Sequence, residues 1–194
     1  MELTEKLQQA YESGDKDYGK LVTLGILHMA QYFPASFTGV ALPFIFRKEG
    51  LPLEMFWLLA LPGIPGGIKW LMAIVVDNYG NNRIGRRKSW IIPCTLVGTL
   101  AYAVLAFIPP SLAVVHIIIG ILVFKSFVMA AQDIAVDAYA AESMTETERP
   151  VGVSIINFLG AIAGVLGTGA VAMVDMFGWT PTLLFASALM FFAA

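Results

Sequence analysis

Inside a long, almost charge-free apolar stretch stands the run Ala131-Gln132-Asp133-Ile134-Ala135-Val136-Asp137-Ala138-Tyr139, with Lys125 a little earlier. Ionisable groups in such a helix are costly, so they face a bundle interior or a wet cavity. Asp133 and Asp137 are four residues apart and share one helical face. Lys125, Gln132 and Tyr139 recur every seven residues and form a second stripe. At ~100° per residue, Asp133 lies about 80° round from Lys125. Two faces of this helix are therefore polar: one can line a cavity, the other can meet a basic loop. A carboxylate in a low dielectric takes up protons readily, which is the chemistry that proton-coupled transport needs. The plainer reading is that Asp137 and Glu142 pair with Arg86, Arg87 or Arg149 at the inner surface. Glu142 suits that reading best, and Asp133, which lies deeper, suits it least.

A second group stands earlier in the chain. Leu61-Pro62-Gly63-Ile64-Pro65-Gly66-Gly67-Ile68-Lys69 puts two prolines and three glycines in the middle of an apolar run. Irregular backbone at membrane depth survives where it is buried or lines a cavity, and interrupted helices recur at transporter sites. The alternative is a bend with a tight helix contact. Lys69 can reach the inner surface by snorkelling or point inward to an acid such as Asp133; the inward reading is preferred. His28 and Gln31, with Tyr32 beside them, form a weaker polar patch. A lone histidine such as His116 is more often a satisfied interior group than a proton carrier. The single cysteine, Cys94, can make no internal disulfide, and no metal-ligand spacing exists. No nucleotide loop, nucleophile elbow or catalytic arrangement is present, so neither an enzyme, a cofactor nor a metal is expected.

Helices must carry these groups. Of 194 residues, 58% are hydrophobic and only 13% charged, against ~25% charged in soluble domains. The apolar runs exceed the ~18 residues that mark a membrane span. A polar N-terminal segment, 1–18, precedes an expected bundle of six transmembrane helices over 19–194. The expected spans are about 20–46, 52–76, 89–108, 111–141, 150–176 and 179–194. No apolar leader precedes the first, so no cleavable signal peptide is expected. The last span is still apolar at Ala194 with no polar cap, so the chain is expected to be part of a longer protein or one half of a pair. Gly160 and Gly164 have the spacing that lets helices approach closely. With the N-terminus inside, inner segments hold eight basic residues, Lys6, Lys16, Lys20, Arg83, Arg86, Arg87, Lys88 and Arg149; outer loops hold only Arg47 and Lys48. That bias sets the N-terminus in the cytoplasm. A net charge of −2 gives no reason to expect nucleic-acid binding.

The loop from Asp77 to Gly85-Arg86-Arg87-Lys88 resembles the loop signature of the major facilitator superfamily. Acid and bases there can pair as a cytoplasmic latch, with Glu142 as a further member. Asn78 stands where that pattern has a basic residue, and several residues are inserted before Gly85. Gln132 to Tyr139 is similar to the fourth-span signature of AmpG-like muropeptide permeases and acetyl-CoA transporters. Leu61 to Leu71 and Glu148 to Trp179 resemble other parts of the same family. The likeness covers roughly 42–186. It implies an all-α integral membrane fold, the N-terminal half of a major-facilitator-type transporter. It also implies proton-linked symport by alternating access, of a muropeptide or acyl-CoA-like solute. The implied partners are the lipid bilayer, a second six-helix half, the solute and protons, and the default location is a bacterial inner membrane. Lys125, Gln132 and Asp133 are the leading residues for the path, joined by Asp137, Lys69, His28 and Gln31. The competing expectation is a non-transporting structural or assembly subunit of a larger membrane complex.

Overall fold

A long apolar sequence with few polar side chains leaves the backbone to satisfy its own hydrogen bonds, and helix does so within one segment. The computed structural model describes residues 16–81 and 83–193. Most of the expected polar segment 1–18 and the last residue of the final apolar run lie outside these. The described residues form helices and turns with no strand.

Helix α1 (Tyr18–Ser36) starts where the Asp17 side chain accepts a hydrogen bond from Lys20 N at 3.0 Å. Pro34 inside α1 lacks an N–H, and the chain widens into a π turn, Phe37–Ala41, before α2 (Leu42–Lys48). The helical run from Tyr18 to Lys48 is unbroken in sequence. The next segment is fragmented: short pieces fill Leu53–Met55, α3 (Trp57–Ala60), Leu61–Gly63 and α4 (Ile64–Gly67). Pro62 and Pro65 remove two donors from it. Ile68 then turns the chain, and α5 (Lys69–Asn78) leaves at 41° to the segment before it. The longer elements are α6 (Lys88–Ala106), α7 (Val115–Ser143), α8 (Arg149–Phe177) and α9 (Trp179–Phe192). Gly178, at φ +92°, makes the turn between α8 and α9.

By length and composition, α6, α7 and α8 can each cross a membrane, and the bent pair of segments around Ile68 can act as a fourth crossing. Helix α9, with 14 residues, is apolar but shorter. The bundle's outside carries Phe44, Trp57, Trp70, Leu100, Phe107, Phe124, Phe158, Val165, Phe177 and Phe192, all exposed. Water would penalise that surface heavily and lipid does not. The chain is an integral membrane protein.

The largest core holds Phe33, Phe37, Phe46, Tyr102, Leu105, Ile118, Leu122 and Leu183. The Phe37 ring meets Tyr102 edge-on, with centroids 5.7 Å apart. At the end of α6, Trp179 Nε1 donates to Leu105 O at 2.8 Å and Thr180 Oγ1 to Ala106 O at 2.7 Å. The start of α9 thus caps Ala106 O, and it adds a second donor to Leu105 O, which already accepts from Ile108 N at 3.0 Å. Helices α1 and α8 run side by side in parallel. A Cβ on Gly167 would sit 2.5 Å from Phe33 O, and one on Gly160 2.9 Å from the Tyr32 ring. Lys20 meets Glu148 where both helices begin, and Lys48 meets Asp175 where both runs end.

Candidate functional site

Five elements line an open cavity of about 660 Å³. Helix α1 contributes His28, Gln31 and Tyr32, and the π turn contributes Thr38 and Gly39. The broken segment contributes Leu59 to Gly66 in part, and α5 contributes Lys69. Helix α7 supplies Lys125, Met129, Asp133 and Asp137. These four recur every four residues and make one row along α7. The row that lines the cavity is therefore not the seven-residue stripe of Lys125, Gln132 and Tyr139. Gln132 is fully buried and turns away to accept from Gln31 Nε2 at 3.2 Å. Its own Nε2 has no partner among the described residues.

Two of the cavity's basic groups are paired. Lys69 Nζ donates to Asp133 Oδ2, which ties the helix after the break to the middle of α7. The lysine therefore points inward rather than snorkelling. His28 bridges two oxygens: its Nδ1 lies 2.8 Å from Leu24 O and its Nε2 3.3 Å from Asp137 Oδ1. A backbone carbonyl only accepts, so that bond assigns a proton to Nδ1. Nε2 and the carboxylate would repel if both were bare. One further proton belongs between them, as an imidazolium facing a carboxylate or an imidazole facing a carboxylic acid.

Lys125 is different. It is 3% exposed and lies with Nζ 5.4 Å from the Tyr102 ring centroid. Among the described residues no carboxylate or other hydrogen-bond acceptor pairs with it. Nearby, Thr38 Oγ1 lies by the Tyr102 hydroxyl without a hydrogen bond of ordinary geometry. No group of three or more metal-ligating side chains exists among the described residues.

A separate cluster joins the loop after α5 to the end of α7. Arg87 Nη1 lies 2.5 Å from Asp77 Oδ1, and its Nη2 lies 2.7 Å from Glu142 Oε1. These acids, Glu142 first and then Asp77, raise the Arg87 guanidinium above its usual range. Arg86 donates to Asp77 O at 3.2 Å and faces Glu142 at 3.7 Å. Gly85, at φ +97°, gives the loop its turn, and Lys88 opens α6. His116, at the other end of α7, is exposed.

Sequence reasoning missed the Glu148 cluster. Glu148 is 3% exposed. Its Oε2 accepts from Lys20 Nζ at 2.7 Å, Thr145 N at 2.9 Å and Thr145 Oγ1 at 3.0 Å. Its Oε1 accepts from Asp17 N at 3.3 Å. Lys20 chiefly, then the Thr145 amide, holds the carboxyl down at about 2. The Thr145-x-x-Glu148 spacing, the pattern of a capping box, was the available signal. The partner on α1 left no such trace.

The chain resembles known proteins over most of its length. A family profile described as acetyl-coenzyme A transporter 1 matches residues 20–164. The anhydromuropeptide permease of Escherichia coli K12 is 27% identical over 148 residues, 76% of this chain and 30% of that protein. An uncharacterised protein of Haemophilus influenzae is 26% identical over 144 residues, 74% of this chain and 34% of its own length. One from Schizosaccharomyces pombe is 28% identical over 146 residues, 69% and 28% respectively. The chain thus spans about a third of the length of these curated relatives. No solved structure matches.

Proposed function

Because the chain belongs to the acetyl-coenzyme A transporter 1 family, we propose that it forms the N-terminal half of a proton-coupled solute transporter. One observation carries the reading: a cavity inside an apolar bundle that holds Lys69, Lys125, His28, Asp133 and Asp137 together. Charges so placed are costly, and in membrane bundles they mark the paths of ions or solutes. Six spans are the natural count, with the unbroken run from Tyr18 to Lys48 first and the bent segment around Ile68 second. The N-terminus faces the cytoplasm, and the bacterial inner membrane is the default location. A second six-helix half, in the same longer chain or a partner, rocks against this one and exposes the cavity to each side in turn.

Protons enter through the paired acids. The His28–Asp137 pair has room for one shared proton, and Asp133 can trade its Lys69 partner for a proton. Either event changes the charge of the cavity and so its affinity for a solute. Gln31 and Gln132 brace α1 against α7 beside the path. Asp77, Gly85, Arg86, Arg87, Lys88 and Glu142 form a cytoplasmic latch that holds one state. The solute is a muropeptide, as the Escherichia coli relative's name indicates, or an acyl-CoA, as the family's name does.

Uptake into proteoliposomes, with and without an inward proton gradient, tests this. Labelled anhydromuropeptide and acetyl-CoA are the two solutes to offer. The wild-type protein should accumulate one of them only with the gradient. Asp133→Asn and Asp137→Asn should each weaken that dependence. Unchanged gradient dependence in both variants would sink the proton role, and no uptake of either solute would favour a structural subunit.

A further inference from the structure

Glycine inside a helix calls for a reason, since alanine forms helix better at any ordinary position. The common reasons are a positive φ, a neighbour too close for a Cβ, or space kept for something else. Gly39, Gly63 and Gly66 lack the first: the positive-φ glycines among the described residues are Gly50, Gly85 and Gly178. They lack the second too, because a Cβ on any of the three would meet no atom within 4 Å. All three line the charged cavity. Gly39 belongs to the π turn after α1, while Gly63 and Gly66 belong to the broken segment. Two separate elements therefore border the same space with glycines.

Lys125 opens onto that space. Lys69 and His28 each face a carboxylate in the cavity, but among the described residues Lys125 has only the Tyr102 ring. A buried ammonium without a counter-charge is unfavourable, and an aromatic face compensates it only in part. An anion entering the cavity would find this cation unopposed, with room beside it.

Resting on the transporter reading, we propose that Lys125 with Gly39, Gly63 and Gly66 forms an oxyanion subsite for the solute. The ammonium takes a carboxylate or phosphate group, and the three glycines make room for the body that carries it. While Lys69 is paired with Asp133 it does not compete for the same group.

Binding to the purified full-length protein in nanodiscs tests this, with two matched pairs of probes. An N-acetylmuramyl dipeptide and its methyl ester report on a carboxylate. Acetyl-CoA and S-acetylpantetheine report on phosphate. The wild-type protein should prefer the charged member of one pair by about tenfold or more, and which pair it is names the oxyanion. Lys125→Met should abolish that preference and leave the neutral member bound as before. Gly66→Leu should weaken both members by about tenfold while the protein melts no lower than wild type. Gly67→Leu is the matched control: its Cβ also meets nothing within 4 Å, yet Gly67 does not line the cavity. It should bind as wild type.

Three results would overturn the subsite. One is a wild-type protein that shows no preference for either charged probe. Another is a Lys125→Met protein that keeps the preference. The third is a Gly66→Leu protein that melts well below Gly67→Leu, because the space would then belong to packing against another part of the protein. Gradient-driven uptake that persists alongside any of these would leave the transporter reading standing. Binding that behaves as stated, without uptake, would remove that reading and leave the subsite.

Discussion

The α1–α8 seam and the charged cavity are built from the same materials and finished in opposite ways. Both use helical glycines and both place lysines near acids. At the seam the glycines are filled: Gly152 meets Met144 and Leu21, Gly160 meets Tyr32, and Gly167 meets the backbone at Phe33. Its lysines are paired, Lys20 with Glu148 and Lys48 with Asp175. In the cavity, Gly39, Gly63 and Gly66 meet nothing within 4 Å and Lys125 has no acid among the described residues. The seam is complete within this chain, whereas the cavity is left open to a visitor. A glycine or a lysine in an apolar helix thus carries no fixed meaning until its neighbours across the helix gap are known.

The contrast can be broken by substitution, starting where the seam is tightest. Gly167→Ala drives a methyl to 2.5 Å from Phe33 O and 3.1 Å from Phe37 N, which are backbone atoms that cannot rotate aside. A loss of roughly 1–3 kcal/mol is expected, as for overpacked cores. Thermal melting of the purified protein measures it, and an unchanged melting temperature would mean that the seam is looser than described.

Next comes the end of the seam. The Glu148 carboxyl is depressed from 4.5 to about 2 by Lys20 and the Thr145 amide. A group whose folded value is depressed stabilises fully above its unfolded value and loses that contribution as pH falls through the folded one. Glu148→Gln should therefore lower the melting temperature at pH 6. The gap from wild type should close as pH falls from about 4.5 toward about 2. A gap that stays constant with pH would show that the charge is not what joins α1 to α8 there.

The cavity side predicts the opposite sign. Gly66→Ala adds a methyl into open space and improves helix propensity, so stability should rise by up to about 1 kcal/mol. A fall in melting temperature would erase the distinction between the two sets of glycines. The smallest effect is expected at Lys48, whose pair with Asp175 is exposed on both sides at 56% and 53%. Lys48→Met should cost no more than about 1 kcal/mol, and less in high salt. A larger loss would make the far end of the seam as important as the Glu148 end.

Part of the site could be read without coordinates. The i, i+4 spacing of Asp133 and Asp137 places them on one face of any helix, whereas for Lys69 the sequence allows both snorkelling and an inward turn, of which the inward one is preferred. The spacing left open which of the two rows lines the cavity. Lys125 and Gln132 are seven residues apart and close in angle, yet Gln132 turns to Gln31 while Lys125 reaches the cavity with Asp133. The angle between two residues on a helix is a local quantity. Which of them meets α1 depends on how α1 and α7 cross. Likewise Thr145 and Glu148 are near in sequence, but Lys20 joins them from 128 residues away.

Helix, membrane and charge placement follow from local order in this chain. Runs of apolar residues with internally bonded backbone have one stable form in lipid, and the Pro62–Pro65 stretch with its glycines marks where that form breaks. Pairing and emptiness are matters of distance between helices, which no period in a single helix encodes. Only the folded bundle sets Glu148 against Lys20, leaves Lys125 without an acid, fills the space at Gly167 and leaves it open at Gly66.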